Sequence, residues 1–281
     1  MSVLRFIAGA ALGLAAAGCA IREPPRPAFL PVASDAVARI RARKLLPAYR
    51  ALVAIEVRVA PAAGGLLGDE FGRQGASYAG RAVLLWKSPA SLRLEPLSPL
   101  GAPLFVVVAK EEELRAFSAA RGRYYFGRAD AEGMARLVGV PLESALLVRL
   151  LQGALPVLGG TQPEGAHLGW DEDAGGARLE LPPGAGLGRR QVVWLDPVAW
   201  VPRSARIGEE GAAVEVRYGP FRRLGVGSLP EWMEVTGPRG VGRMRIEFSL
   251  SDEAGEAEIP DGLFELPIPR GALVVPLDGG R

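Results

Sequence analysis

Residues 53–59 read Val-Ala-Ile-Glu-Val-Arg-Val, and that alternation constrains the fold more than any other feature of the chain. Val53, Ile55, Val57 and Val59 fall on one side, and Ala54, Glu56 and Arg58 on the other. Period two with a single apolar side describes a half-buried β-strand. The pattern returns in Leu92 and Leu94 against Arg93 and Glu95, and in Leu179 and Leu181 against Arg178 and Glu180. It recurs in Val214, Val216 and Tyr218 against Glu215 and Arg217, and in Met244, Ile246, Phe248 and Leu250 against Arg245, Glu247 and Ser249. Tyr78–Trp86, Leu104–Ala109, Leu114–Ala119, Tyr124–Gly127, Leu168–Trp170 and Val192–Leu195 are further candidates. The expectation is about eleven strands. One apolar face means an antiparallel sheet wetted on its other side. A sheet of this size curls, and its apolar face needs a cover.

Helices are expected to supply the cover. Ser34 reads as the N-cap of a first helix carrying Ala33, Ala36, Val37, Ile40 and Leu45, with Asp35 in its first turn and Pro47 ending it. Asp130 caps a second, with Met134, Leu137 and Val138 on its apolar side and Gly139 as its stop. Pro141 suits the first turn of a third, which carries Leu142, Leu146, Leu147, Leu150 and Leu151 up to Gly153. Leucines at such close spacing bury that helix on most sides. The pattern is mainly β with helices added (α+β): a curved antiparallel half-barrel with a helical plug on its concave apolar face. Residues 33–281 are expected to form a single domain, with Ala154–Gly165 a loop inside it, since neither half covers its own sheet.

The first residues read differently. Arg5 precedes the apolar run Phe6–Ala17, which at about a dozen residues is too short to span a ~30 Å hydrocarbon core. Ala16-Ala17-Gly18 leads into Cys19, the only cysteine. Small residues before a cysteine at the cleavage site resemble the lipobox of bacterial lipoproteins, although Leu14 lies further back than the usual aliphatic slot. The resemblance implies a signal peptide over 1–18, a lipid anchor on Cys19 and, from Ala20, an outer-membrane location. An ordinary signal peptide with an incidental cysteine is the alternative. Pro24, Pro25, Pro27 and Pro31 then stiffen a tether over 19–32, reaching roughly 35–40 Å. A lone cysteine rules out a disulfide framework.

Of 281 residues, 49 % are hydrophobic, and the net charge is +2 with no basic run. Nothing points to a nucleic-acid partner. Catalytic signals are sparse. His167, the only histidine, falls on a polar face. Asp171-Glu172-Asp173, before Ala174-Gly175-Gly176, reads as a hairpin turn rather than a metal corner. The Gly184–Gly188 run follows a double proline and opens no helix, so it is a poor phosphate loop. Gly64–Gly68 reads as a strand connection or a membrane-touching tip. No cofactor, metal or enzymatic activity is expected.

One stretch does stand out. In Leu92–Phe105, Pro96, Pro99, Pro103 and Gly101 frame the bare leucines Leu97, Leu100 and Leu104 where a surface turn normally carries Asp, Asn or Ser. Leu92-Arg93-Leu94 followed by Ser98-Pro99-Leu100-Gly101 resembles the strand–loop–strand of the LolB family of outer-membrane lipoprotein receptors. Leu137-Val138-Gly139-Val140-Pro141-Leu142, then Leu147 to Gly153, is similar to that family's helical segment. The likeness covers roughly residues 50 to 155, and the chain reads as a divergent branch of the LolA/LolB superfamily. It implies an eleven-stranded half-barrel whose concave face holds the acyl chains of a lipoprotein received from a periplasmic, LolA-like carrier. It further implies that a loop leucine assists insertion: Leu100, or Leu97 as a shifted alternative. Val53, Ile55, Val57, Leu92, Leu94, Phe105, Val107, Leu146, Leu147, Leu150, Met244, Ile246 and Phe248 are then expected to line the acyl cavity of a monomer.

Three readings follow. The first is an acceptor of acyl chains at the outer membrane; the second an envelope scaffold with a filled core; the third an enzyme acting on envelope lipids. The long stretch Ser251–Arg281 bears on the first two, because Phe264, like Trp232, is a candidate to plug the cavity.

Overall fold

The computed structural model describes residues 26–59, 77–154, 165–183, 188–249 and 258–277. Residues 1–25, with Cys19, and residues 60–76, 155–164, 184–187, 250–257 and 278–281 lie outside the described residues, and with them the expectations placed there. Three helices are described: α1 (Ala33–Arg41), α2 (Ala131–Val138) and α3 (Ser144–Leu151).

Strands β1 (Ala48–Val59), β2 (Ser77–Lys87), β3 (Ser91–Pro96), β4 (Phe105–Lys110), β5 (Glu113–Ser118) and β6 (Arg123–Arg128) precede α2 and α3. After them come β7 (His167–Asp171), β8 (Gly176–Leu181), β9 (Gln191–Leu195), β10 (Pro202–Ile207) and β11 (Val214–Tyr218). The rest are β12 (Phe221–Leu224), β13 (Gly227–Pro230), β14 (Trp232–Thr236), β15 (Gly242–Glu247) and β16 (Leu273–Pro276). Fourteen of them form one curved, open sheet in the order β16-β6-β5-β4-β3-β2-β1-β15-β14-β11-β10-β9-β8-β7, and β12–β13 make a separate hairpin.

The expected fold class is therefore present with more strands than the alternation announced. The five additional strands are β10, β12, β13, β14 and β16. Strand β10 is broken by a register shift between Pro202 and Ser204. In β14, Glu234 is buried beside Met233 and Val235, so period two is hidden. The helix boundaries also move. Helix α1 stops at Arg41, its cap position is Val32, and Ser34 lies inside it. Helix α3 starts at Ser144, because Pro141 and Leu142 are still extended or turning. Asp130 caps α2 as expected, its Oδ1 accepting from the Gly133 N–H at 2.9 Å.

Central strand β1 sets the geometry. Ala54 lies opposite Arg81 of β2 and Glu247 of β15, so strands nearly two hundred residues apart in sequence meet at one register. Val53, Ile55, Val57 and Val59 all enter one continuous apolar cluster, which also takes in α1, α2, α3 and both halves of the sheet. This cluster runs from Val37 to Leu277, so the described residues on both sides of α2 and α3 share one core.

The C-terminal stretch does not plug the concave face. Ile259, Phe264 and Leu266 pack on Leu85, Val108 and Tyr124, on the opposite, convex side of the sheet. Lys87 Nζ meets Asp261 at 2.6 Å, Arg93 donates to the Leu263 carbonyl at 2.8 Å, and Tyr124 Oη donates to the Leu266 carbonyl at 2.8 Å. The stretch ends as β16, added parallel to β6. Trp232 also sits away from the core, under the Arg245 guanidinium at 4.3 Å.

The link between α2 and α3 presses directly on the sheet. A Cβ on Gly242 would stand 1.9 Å from the Gly139 carbonyl oxygen. Only glycine admits that approach of backbone to backbone. Gly242→Ala is therefore expected to destabilise the protein by about 2–3 kcal/mol, read as a fall in Tm on thermal unfolding; an unchanged Tm would show that the link is not seated on β15.

Candidate functional site

Every residue expected to line an acyl cavity points into the concave cluster, but the cluster is closed. Val53, Ile55, Met244 and Ile246 are each 2 % exposed, Phe105 and Val107 1 %, and Leu150 0 %. Val57, Leu92, Leu94, Leu146, Leu147 and Phe248 are also buried. An open hollow wide enough for a hydrocarbon chain would leave such side chains accessible to water. Four surface hollows formed by described residues, around Arg206, Arg189, Trp194 and His167, involve none of them.

The occupant of the concave face is α3. Leu146, Leu147, Val148, Leu150 and Leu151 are all buried, so the helix is covered almost all round. Beneath its C-terminal end lies an aromatic floor. Tyr49 stacks on Trp86 with ring centroids 4.3 Å apart, and Phe248 meets both edge-on. Burial lifts the Tyr49 hydroxyl above the ordinary tyrosine range, and it donates to the Ser249 carbonyl at 2.9 Å.

The C-terminal end of α3 is tied to the frame by polar contacts. Gln152 Nε2 donates to the Leu46 carbonyl at 2.8 Å and to Ser88 Oγ at 2.7 Å. Arg43, just past α1, reaches the Gly153 carbonyl at 2.8 Å and Ser228 Oγ at 3.1 Å. Its guanidinium lies 4.9 Å from the Phe221 ring centre. Burial lowers its pKa, and the neighbouring Tyr218 opposes the shift. One half-buried cation thus joins the end of α1, the end of α3 and the β12–β13 hairpin.

Two further polar groups stand on the concave face. Gln191 is 0 % exposed, and neither atom of its amide has a hydrogen-bond partner among the described residues. Tyr218 Oη is likewise unpartnered, and burial lifts its pKa well above the usual range. Leaving a buried polar group unsatisfied costs about 1–3 kcal/mol. Sequence reading missed Arg43 and Gln191. The signal for Gln191 was present, a polar residue in phase with Val193 and Leu195; Arg43 gave none, being one of three arginines at alternate positions with Arg39 and Arg41.

The proline-framed leucines occupy the β3–β4 hairpin. Leu97 bridges to Pro103 and is half-buried, its backbone bound on both sides by Tyr78 Oη. The chain then turns tightly, with Gly101 N donating to the Ser98 carbonyl at 2.8 Å and Ser98 Oγ accepting from Ala102 N at 3.1 Å. Pro99 takes the second turn position and Gly101 a left-handed φ of 85°, which its missing Cβ permits. Leu100 is left at the apex, 97 % exposed. Leu104 returns to half-burial.

The polar candidates behave as surface. His167 is exposed on edge strand β7, opposite Glu180, which pairs with Arg178 and Arg190. Asp171 opens a hairpin turn, accepting from Ala174 N at 3.0 Å and from Trp194 Nε1 at 2.8 Å, and the Trp194 hydrogen bond foremost holds its carboxyl below the usual range. Among the described residues, no three His, Cys, Asp or Glu converge to hold a metal, and no helix is long and apolar enough to cross a membrane.

No family model matches the sequence, and no curated protein matches it. Solved structures do. A LolA superfamily protein from Nitrosomonas europaea superposes with a TM-score of 0.50 at 14 % identity, covering 84 % of this chain and 99 % of the other. A DUF1329 family protein from Desulfovibrio piger gives a TM-score of 0.52 at 13 % identity, covering 83 % of this chain and 95 % of the other. Such low identity speaks for architecture alone, and it agrees with the open fourteen-stranded sheet and its helical cover: the chain has the fold of the LolA/LolB-like superfamily.

Proposed function

We propose that this protein is an outer-membrane lipoprotein that binds acyl chains on its concave face, with α3 filling the site when no ligand is held. In this reading residues 1–18 are a signal peptide, Cys19 carries the lipid anchor, 19–32 are a tether and 33–281 are the binding domain, facing the periplasm. It receives acyl chains of lipoproteins or lipids from a LolA-like carrier and passes them into the membrane, with Leu100 assisting insertion.

The observation that carries the proposal is α3 itself: a short leucine helix, buried almost all round, anchored at its C-terminal end through Gln152, Gly153 and Arg43. Its five large apolar side chains from Leu146 to Leu151 stand for roughly 10 kcal/mol of gross burial at about 2 kcal/mol each. A sixteen-carbon chain carries about 12 kcal/mol at ~0.8 kcal/mol per methylene. Exchange of helix for ligand is therefore close to balanced, which a handover requires, since a chain held much more tightly would not leave. Tyr218, or Gln191 at the other end of the strands, offers a hydrogen bond to the ester or amide at the head of such a chain.

The closed packing of the lining residues favours a second reading, an envelope scaffold whose core is permanently filled. Chain from Ala20 onward, purified and extracted, is expected to release lipid by mass spectrometry and to take up a fluorescent fatty acid saturably. Neither lipid nor uptake would leave the scaffold. Arg43→Met separates the readings further. Loss of its charged hydrogen bonds should cost about 1–3 kcal/mol of stability and, if α3 moves, raise the rate of probe uptake. A filled scaffold shows only the loss of stability.

Leu100→Glu is expected to leave Tm within error, since an exposed tip contributes under about 0.5 kcal/mol. It should nevertheless lower delivery of a client lipoprotein into vesicles. A clear fall in Tm would show that Leu100 belongs to the packing.

A further inference from the structure

We propose that the polar, convex face of the sheet carries a groove over β9, β10, β11 and β14 that binds an acidic glycan, the sugar strand of peptidoglycan. The groove lies across the sheet from the acyl face. Only the choice of peptidoglycan as the source of the glycan rests on the periplasm-facing reading above.

Strand register builds the groove. Val193 and Leu195 of β9, Ala205 and Ile207 of β10, and Val214 and Val216 of β11 enter the concave core. The residues between them face the other way. Trp194 lies opposite Ser204, and Ser204 opposite Arg217. Two residues along, Arg206 lies opposite Glu215, and Glu215 opposite Thr236 of β14. Two rows of polar side chains thus run side by side across the strands, and the surface is hollowed along them. One hollow of about 190 Å³ lies among Trp194, Ser204 and Arg217, and another of about 320 Å³ reaches Thr236 and Arg239. Both are walled by Arg206 and Glu215, so together they make one groove.

The Trp194 indole stands at one end in a fixed orientation, because Asp171 accepts from its Nε1 at 2.8 Å. The Arg206 guanidinium lies 5.7 Å from the ring centre, with a nitrogen 3.5 Å from Glu215. Arg217 is exposed, and Glu234 opposite it pairs with Arg243 instead. Among the described residues neither Arg217 nor Arg239 has a side-chain partner, so both keep their donors for a ligand.

An indole presents a flat, electron-rich face that suits the C–H face of a pyranose ring. Ring hydroxyls need donors and acceptors together, and Ser204 and Thr236 with Glu210 and Glu215 supply both. A free guanidinium beside them suits a carboxylate, which it grips through two parallel N–H bonds. From Trp194 to Arg217 is two strand spacings, roughly 10 Å, comparable with a disaccharide. Three arginines face two glutamates, so the groove favours sparse negative charge and repels a polyanion at Glu210 and Glu215. A sugar polymer with scattered carboxylates has that composition, and in the periplasm such a polymer is peptidoglycan.

The test is co-sedimentation of the chain from Ala20 onward with purified sacculi. Wild type is expected to sediment and to be released by soluble muropeptides, but not by neutral dextran or polyglutamate. Arg217→Gln should weaken binding about tenfold, and Trp194→Ala about fivefold. Arg223→Gln, an exposed arginine of β12 outside the groove, should change nothing. Arg217 and Arg223 are both exposed, so thermal unfolding of these two variants should match wild type. No sedimentation, sedimentation unaffected by Arg217→Gln, or release by polyglutamate would overturn the proposal. Release by the sugars of deacylated lipopolysaccharide in place of muropeptides would also overturn it. Fatty-acid uptake by the same proteins keeps the two sites apart. Sacculus binding without uptake counts against the acyl site alone, and uptake without sacculus binding counts against the groove alone.

Discussion

The structure depends on one unsatisfied surface. A fourteen-stranded open sheet with an apolar concave face exposes more hydrocarbon than water tolerates, and closure into a barrel, which would hide it, does not occur. The chain answers with short helices laid against the face, α1 joining the same cluster as α2 and α3. Everything else follows from seating them: the backbone contact between Gly139 and Gly242, the aromatic floor at Tyr49 and Trp86, and the Arg43 contact that fastens three elements at one point. The convex face meets the same problem over β2–β6, and there the C-terminal stretch is the answer.

Filling the concave face with a helix rather than with bulky strand side chains has an energetic meaning. Side chains fixed on strands cannot leave without unmaking the sheet. In the proposed exchange α3 leaves as a unit, at a cost set by its own buried area and the polar contacts of Gln152 and Arg43, and the interior is then compact and still divisible.

Much of this was legible in the sequence because alternation survives wherever one face is wet. Strands β1, β3, β8, β11 and β15 alternate openly, and Asp130 and Gly139 announce the bounds of α2. What escaped did so for local reasons. Strand β10 opens with a proline and shifts register, β14 hides its period behind Glu234, and β16 is an exposed edge whose parallel partner lies some 150 residues upstream, as the pairing of Val274 with Tyr124 shows. The leucine-rich helix was expected beneath the sheet, but no pattern in one dimension tells whether a cavity stays open around it. The aromatics thought able to plug that cavity, Phe264 and Trp232, lie on the other face, which composition alone does not assign. The polar residues Tyr218 and Arg43 come together only in three dimensions.

The parallel seam between β6 and β16 carries a consequence for biogenesis. Residues 273–277 are translated last among the described strands, yet they supply the hydrogen bonds that cap the β6 edge: Leu273 N reaches the Gly122 carbonyl at 2.8 Å and Leu277 N the Phe126 carbonyl at 2.7 Å. Until they arrive, a nascent chain presents an unpaired strand bearing Tyr124, Tyr125 and Phe126, a template for mispairing with its neighbours. The β6 border therefore stays bare from the completion of Arg128 until Leu273 emerges, about half of synthesis, and shielding by a chaperone matters most in that interval.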